Sequence, residues 1–256
     1  VLVLKIMDLS KYQIPLGNLP HPTQLILAKE TIEFEFNDCT VSGEISNQEL
    51  EDGIYKNKEN SYFIKCTTQM NGVTPAMIDW WFGWVIPSTE RYKLWHPKDH
   101  ISSHIDEDIS HKLSNKDKYI GIDSYVDEYI GKKLHSLCIS FVEPSSYGFS
   151  EINENFTAIC AGVRNMDSGI HGGNLLHHVV VNEQGSTMYS YFWLGMHPSH
   201  LNPLKDYLIK FFTKYKLVKA ILLNDKMAKD LLIHCYEEMN HLSKILPDLY
   251  NDLEKK

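Results

Sequence analysis

Residues 227–245, MAKDLLIHCYEEMNHLSKI, form the stretch of the chain that decides the fold. Positions at alternating steps of four and three along it share one face of an α-helix, the face that packs on a protein core. That face runs through Met227, Leu231, His234, Glu238, Leu242 and Ile245. The sequence therefore predicts a long C-terminal helix over about residues 223–247, with a histidine and a glutamate in the middle of its buried face.

His234 and Glu238 need a partner in such a position. Burying an imidazole and a carboxylate is costly unless they are paired, hydrogen-bonded or bound to a metal. Side chains four residues apart project from the same face of a helix and can converge on one ion. The geometry follows that of HExxH helices, with a carboxylate in place of the second imidazole. The spacing alone leaves a helical His–Glu ion pair open as the alternative.

Alternating apolar residues predict antiparallel strands before this helix. The clearest hairpin pairs residues 175–181 with 187–194 across a turn at 182–185. Thr74 followed by Pro75 predicts a helix start. Further strands are expected at 31–36, 61–69, 137–141 and 159–163, and a further helix at 203–215. This order fits an α+β fold in which a curved antiparallel sheet grips the long C-terminal helix and encloses a cavity.

A polar stretch at residues 47–60 reads as a loop and divides the chain. We place a soft boundary there, between a small N-terminal part (residues 1–58) and the main domain (residues 59–256).

Composition argues against several classes of protein. The formal charge is −8 and no basic run exceeds a pair of lysines, which disfavours a nucleic-acid partner. No apolar run reaches the roughly 18 residues of a membrane helix, so no membrane partner is expected. The five cysteines are scattered and form no CxxC pair, which indicates buried thiols in a reducing compartment. We therefore expect a cytoplasmic protein.

Residues 74–100, TPAMIDWWFGWVIPSTERYKLWHPKDH, combine four tryptophans with charged and imidazole side chains. An aromatic core module is the simplest interpretation of the tryptophans alone. The interleaved polar groups favour a pocket for a flat aromatic ligand.

This segment contains the strings TPAMIDWWFGW and RYKLWHPKDH, and the chain continues with EYIG at 128–131, HHVVV at 177–181, FWLG at 192–195 and HCYEEMNHL at 234–242. Through these strings the chain resembles the 2,4-diacetylphloroglucinol hydrolase and phloretin hydrolase family over about residues 60–245. The resemblance implies a Bet v1-like helix-grip domain, preceded by a small N-terminal part involved in dimerisation. It also implies a zinc-dependent enzyme that cleaves the carbon–carbon bond between an acyl carbonyl and a polyhydroxylated aromatic ring. The expected partners are then a small acyl-phenol substrate and a second copy of the chain.

By the same resemblance, the metal ligands are His100, Glu128, His234 and Glu238, with Asp127 as the alternative to Glu128. Two imidazoles and two carboxylates suit zinc, with iron(II) or manganese as alternatives. Zinc would supply a hydroxide nucleophile at neutral pH.

The resemblance also implies pocket residues that contact the substrate. Tyr92 would bind a substrate hydroxyl, and His178 would act as the general acid that protonates the ring carbon. Trp81 and Trp95 are expected to line the substrate pocket. His177 is expected to face away from it. Six further histidines are expected to be surface or loop residues, namely His104, His111, His135, His197, His200 and His241. His96 is expected to end an extended segment before Pro97.

Two rival functions stay open at this point. A helix-grip domain can carry a hydrophobic aromatic ligand without any chemistry, in which case the chain would hold no metal. The other rival is an iron-dependent enzyme that modifies aromatic rings. Metal content distinguishes the carrier from the two enzymes, and metal identity distinguishes the zinc hydrolase from the iron enzyme.

Overall fold

The computed structural model describes residues 8–18, 30–34, 50–149, 153–196 and 223–254. The expected helix at 203–215, His197 and His200 lie outside these residues. The described strands are β1 (Ile32–Glu33), β2 (Gly53–Lys56), β3 (Tyr62–Asn71), β4 (His100–Ile105), β5 (Asp123–Ile130), β6 (Lys133–Val142), β7 (Phe156–Asn165), β8 (His171–Asn182) and β9 (Gly185–Leu194). The described α-helices are α1 (Pro75–Val85), α2 (Thr89–Trp95) and α3 (Asp225–Glu254), and short 3₁₀ turns occupy Ser10–Tyr12 and Pro144–Tyr147.

All nine strands belong to one sheet, in the order β1-β2-β3-β9-β8-β7-β6-β5-β4. Every neighbouring pair is antiparallel except β1 and β2, which are parallel. The inner face of the sheet packs on α3 and α1, and these layers share one large apolar core. The predicted α+β helix-grip fold is confirmed.

A second, smaller apolar cluster covers the outer face of the sheet. It contains Tyr55, Phe63, Tyr147, Ala158, Cys160, Leu176, Tyr191 and Trp193. The strands in the middle of the sheet are thus buried on both faces, so their sequences run apolar for several residues without a clean alternation.

Local signals in the sequence predicted several elements correctly. The β8–β9 hairpin turns through Glu183 and Gln184, and its pairing runs from Gly173 opposite Leu194 to Asn182 opposite Gly185. Thr74 caps α1 by accepting a hydrogen bond from the backbone N–H of Met77 at 3.3 Å.

The helix α3 continues beyond the predicted end at residue 247 and contains Pro247 in its interior. Contacts of its last turns offset the backbone hydrogen bond that a proline removes. Leu249 is fully buried, Tyr250 packs edge-to-face on Trp80 with ring centroids 5.3 Å apart, and the indole N–H of Trp80 donates to Glu254 at 2.7 Å.

The predicted loop at residues 47–60 is wrong in part, because it contains strand β2. Ile54 and Tyr55 are both buried, one in the inner core and one in the outer cluster, and these two residues anchor the strand against β3. The strand belongs to the same sheet as the rest of the chain. The proposed division at residue 58 stays a prediction.

The described cysteines are Cys66, Cys138, Cys160 and Cys235, and all four are free and buried, as predicted. None of the helices in the described ranges is long and apolar enough to cross a membrane.

Candidate metal centre

Four buried side chains from three elements meet at one end of the core. His100 begins β4, and Glu128 lies opposite it on β5. His234 and Glu238 occupy successive turns of α3. None of the four is more than 8% exposed. The structure therefore brings together all four residues that were predicted as metal ligands.

The distances within this cluster are short enough for one ion to contact every member. His100 Nε2 lies 3.5 Å from Glu238 Oε2 and 3.8 Å from Glu128 Oε2. His234 Nε2 lies 3.9 Å and 4.0 Å from the same two oxygens. His100, His234 and Glu238 also form a group of potential ligand atoms within 4.8 Å of one another.

Glu128, and not Asp127, faces the cluster. Successive side chains of a strand point to opposite faces of the sheet, so only one of the two can face inward. The Asp127 carboxylate accepts hydrogen bonds from Ser102 Oγ at 2.8 Å and Ser136 Oγ at 2.6 Å.

The backbone fixes the tautomer of His100. Its Nδ1–H donates to the carbonyl oxygen of Tyr92 at 3.0 Å, and the two rings stack with centroids 3.8 Å apart. Its Nε2 must then carry the lone pair, and this buried atom has no hydrogen-bond partner in the described part of the chain. A buried nitrogen held in this way is a ready metal ligand.

Asp99 lies next to the ring nitrogen of His234 that points away from the two glutamates. Its Oδ2 lies 3.6 Å from His234 Nδ1, while His234 Nε2 faces Glu128 and Glu238. A carboxylate behind a histidine is the usual way of orienting a metal-binding imidazole. Burial opposes a charged imidazole here, yet Asp99 and the two glutamates raise the pKa of His234 to about 9.

The pKa values of its neighbours in the cluster are also strongly shifted. Burial raises the pKa of Glu238 well above the usual value of a glutamate. Burial and the nearby His234 lower the pKa of His100 well below its usual value. Such shifts mark a place where charge is held away from water.

His96, Asp99 and His234 form a second group with potential ligand atoms close together. The backbone N–H of Asp99 donates to His96 Nδ1 at 3.0 Å, so the ring proton of a neutral His96 sits on Nε2, 3.2 Å from Glu237 Oε2. A protonated Nε2 cannot bind a metal. The His96 ring instead stacks on His234 with centroids 4.9 Å apart and supports it.

The sequence prediction for His96 was wrong, because this residue is fully buried beside the cluster and follows a helix. Asp99 and Glu237 were missed as supporting residues. The only signal for them was their position next to the predicted ligands His100 and Glu238.

Tyr92 is tied to the cluster. Its hydroxyl donates a hydrogen bond to Glu128 Oε2. Burial and the adjacent Glu128 raise the pKa of Tyr92 well above its usual value, so the phenol stays protonated. The phenol oxygen can therefore accept a hydrogen bond from a ligand hydroxyl but cannot donate one, and the predicted bond from Tyr92 to a substrate hydroxyl stays a prediction.

Two cavities adjoin the cluster. A small one of about 70 Å³ is lined by Glu128, His234 and Glu238, together with Tyr92, Trp95 and His177. A larger one of about 350 Å³ shares Glu128 with the small cavity, as well as Ile139, Leu175, Phe192 and Leu231. The larger volume lies within the range of pockets for small organic ligands.

Of the two predicted pocket tryptophans, Trp95 lines the small cavity. Trp81 lines neither cavity. It packs behind Trp95, edge-to-face with ring centroids 5.9 Å apart. Its predicted contact with a substrate is not supported by this position.

The neighbouring histidines of β8 are placed opposite to the prediction. His178 lies on the outer face of the sheet among Phe149, Phe156 and Tyr189, with ring centroids 5.0 to 6.3 Å away. His177 faces inward, lines the small cavity and shares a hydrogen bond of 2.8 Å with Ser190 Oγ. His178 therefore cannot protonate a ligand in the cavity.

Two further histidines differ from their expected positions. His135 lines the larger cavity and is 9% exposed, and His241 is buried in α3 at 1% exposure. His104 and His111 are exposed, as predicted.

The family model of the DAPG hydrolase PhiG domain matches residues 34–251. The chain belongs to this family. A 2,4-diacetylphloroglucinol hydrolase of Pseudomonas sp. is 29% identical over 194 residues, which cover 71% of this chain and 64% of that protein. A phloretin hydrolase of Eubacterium ramulus is 27% identical over 199 residues, which cover 72% and 65%. The chain thus spans less than two thirds of the length of these relatives. The predicted family is confirmed.

Similar solved structures are more distant. Ara h 8.0201 has a TM-score of 0.42 and 10% identity, over 73% of this chain and 99% of that one. A norcoclaurine synthase point mutant of Thalictrum has a TM-score of 0.34 and 15% identity, over 68% and 96%.

Proposed function

We propose that this member of the DAPG hydrolase PhiG domain family is a zinc-dependent hydrolase. Its reaction is cleavage of the carbon–carbon bond between an acyl carbonyl and a polyhydroxylated aromatic ring. The observation that carries the proposal is the convergence of His100, Glu128, His234 and Glu238, all buried, at the end of an apolar cavity. The names of the relatives supply the class of substrate, an acylphloroglucinol or a phloretin-like ketone.

The donor set fits a divalent metal ion. Within the described residues, Glu128 and Glu238 form ion pairs only with histidines. When no metal is bound, protons on His234 and Glu238, whose pKa values are both raised, must offset the negative charge of the two buried glutamates. A dication held by His100, Glu128, His234 and Glu238 would balance them. Two nitrogen and two oxygen donors suit zinc, and iron(II) and manganese are the alternatives.

When bound, zinc would polarise the acyl carbonyl and lower the pKa of water from about 15.7 to about 7, which supplies a nucleophile at neutral pH. Residues of the chain would orient the metal ligands and keep water away from the substrate. Tyr92 orients Glu128 through its hydrogen bond, and Asp99 orients His234. The apolar walls of the larger cavity exclude bulk water from the substrate.

The leaving group is a ring carbanion, so the ring must gain a proton at carbon as the bond breaks. A phloroglucinol ring can do so through its keto tautomer, in which the proton of a ring hydroxyl has moved to the acyl-bearing carbon. The bond would then break to leave a phenolate, whose oxygen a hydrogen bond stabilises. His177 lines the cavity next to the cluster, and burial lowers its pKa to about 3, so it is neutral near pH 7. A neutral imidazole suits a hydrogen bond to such an oxygen better than delivery of a proton.

Elemental analysis of protein purified without added metal tests the proposal. We expect about one zinc per chain, with most of it lost in His234→Ala. His104→Ala, which removes an exposed histidine on β4, is the matched control and should keep the metal. The zinc-loaded protein should hydrolyse 2,4-diacetylphloroglucinol or phloretin, with the acid and the free phenol as products. No stoichiometric metal in untreated protein, or no turnover with metal bound, would contradict the proposal.

The apolar lining of the larger cavity also favours a ligand carrier as a second candidate. A carrier would bind the same phenols without metal and release them unchanged. A dimer formed through residues 1–58 and a cytoplasmic location stay predictions.

A further inference from the structure

The wall of the larger cavity is apolar over most of its area but contains one polar patch. The patch comprises Lys133 and His135 at the start of β6, Asn165 at the end of β7, and Asp167 and Ser168 in the turn that follows. The backbone N–H of Met166 donates to the carbonyl of Ser136 at 2.8 Å, which holds this turn against β6. The proposed function leaves this patch without a role.

His135 is the most buried member of the patch and lies next to a proposed metal ligand. It is 9% exposed and is the direct partner of Glu128 across the β5–β6 pair. Directly opposite residues of antiparallel strands point to the same face, with Cβ atoms about 5 Å apart. Both side chains line the larger cavity. Within the described residues, no hydrogen bond involves the imidazole of His135.

Asn165 adds donors to the same patch. Its Oδ1 accepts hydrogen bonds from the backbone N–H and the hydroxyl of Ser168, both at 2.9 Å. Its amide NH₂ group remains to donate into the cavity. A neutral imidazole also offers one N–H, and Lys133 brings an ammonium group to the exposed rim. Lys133, His135 and Asn165 thus present hydrogen-bond donors, which match oxygen atoms of a ligand, while the carboxylate of Asp167 can only accept.

We propose that His135 binds the ring oxygen ortho to the acyl group of the substrate and that Asn165 binds a further ring oxygen. This inference rests on the proposed function, because it places the acyl carbonyl beside Glu128. The ortho oxygen is the ring oxygen nearest the acyl carbonyl, and His135 is the member of the patch that is paired directly with Glu128. A ring whose only hydroxyl is para to the acyl group therefore lacks the contact with His135.

The test measures the dissociation constant of phloretin for the zinc-containing protein from the quenching of tryptophan fluorescence in a stopped-flow instrument, before turnover consumes the ligand. His135→Leu should raise the dissociation constant about tenfold, the loss expected for one buried hydrogen bond. His135→Gln, which keeps a donor, should recover most of the affinity. Both variants should keep the zinc content and the circular dichroism of the wild type. His104→Leu is the control for the loss of an imidazole.

A second pair of ligands tests the position of the ring oxygen. 2-Hydroxyacetophenone should bind the wild type more tightly than 4-hydroxyacetophenone, and His135→Leu should remove most of that difference. Equal binding of phloretin by wild type and His135→Leu overturns the proposal, as does a wild type that does not bind phloretin. Loss of zinc in His135→Leu overturns it too, since the residue would then act through the metal centre. Binding of phloretin without turnover would contradict the proposed hydrolase activity. The comparison of wild type with His135→Leu would still decide whether His135 binds the ring oxygen.

Discussion

In the candidate metal centre, single hydrogen bonds determine which ring nitrogen of His100 and of His96 carries the proton. The carbonyl of Tyr92 can only accept, so it takes the proton on His100 Nδ1 and leaves Nε2 for a metal. The N–H of Asp99 can only donate, so it places the proton of His96 on the opposite nitrogen. Two histidines four residues apart therefore have different roles, one as a ligand and one as a support.

Asp99 should matter for metal affinity although it is not a proposed ligand. We expect Asp99→Asn to weaken zinc binding about 10- to 100-fold, because His234 loses the charged group that orients it. Competition with a chromogenic chelator measures the affinity. Asp127→Asn is the matched control, since that carboxylate is held by two serines and faces away from the cluster. Equal affinities of the two variants would exclude the orienting role.

His178 should make the stability of the protein depend on pH. Burial lowers its pKa to about 4 in the folded state, against about 6.5 in the unfolded chain. Folding favours the neutral form of His178. The resulting contribution to the free energy of unfolding is fully present above pH 6.5 and is lost as the pH falls towards 4.

The variant His178→Phe fits the aromatic surroundings and removes this titration. Its free energy of unfolding should fall less than that of the wild type between pH 7 and pH 4.5, as measured by urea denaturation at several pH values. Parallel pH profiles of the two proteins would show that His178 titrates normally.

At the scale of the elements, the turn of the β5–β6 hairpin approaches α3 closely. Gly131 in its turn has φ +65°, and a Cβ atom at this position would lie 2.3 Å from Asp230 Oδ2 of the helix. Asp230 is itself held by an ion pair with Lys226. The glycine of the EYIG string thus lets the strand that carries Glu128 approach the helix that carries the other carboxylate.

We expect Gly131→Ala to lower the free energy of unfolding by more than Gly121→Ala. Both glycines have positive φ, which costs a residue with a side chain about 1–2 kcal/mol, but the space around Gly121 is open. The steric conflict with Asp230 should add about 1 kcal/mol at Gly131. Urea denaturation of both variants gives the difference. Equal losses would mean that the Asp230 side chain moves away at no cost.

The sequence predicted those elements and residues whose signals are local. The spacing in α3 placed His234 and Glu238 on its buried face, and Thr74 with Pro75 marked the start of α1. The orientation of His177 and His178 was out of reach, because β8 is buried on both faces and its sequence does not alternate. The end of α3 was misplaced, because the packing of residues after Pro247 comes from segments far away in the chain.

Across the whole molecule, the residues of the candidate metal centre come from positions that are distant in sequence. His100 and Glu128 were assigned by resemblance, since no local pattern connects two strands with a helix more than a hundred residues later. Their support by Asp99, His96 and Tyr92 depends on tertiary contacts that only the folded chain displays.

The placement of the four proposed ligands also bears on how long the protein survives in a cell. Two of them lie on strands at one edge of the sheet and two on the last helix, so a bound metal would cross-link the ends of a long chain segment. Such a cross-link disfavours opened states of the chain, as a clip that closes a large loop does. Without metal, the two histidines and two glutamates lose this cross-link and remain as buried polar groups where α3 meets the sheet, so that helix should detach more often and expose its apolar face to proteases. The supply of metal ions would then set the abundance of the protein by controlling its rate of degradation.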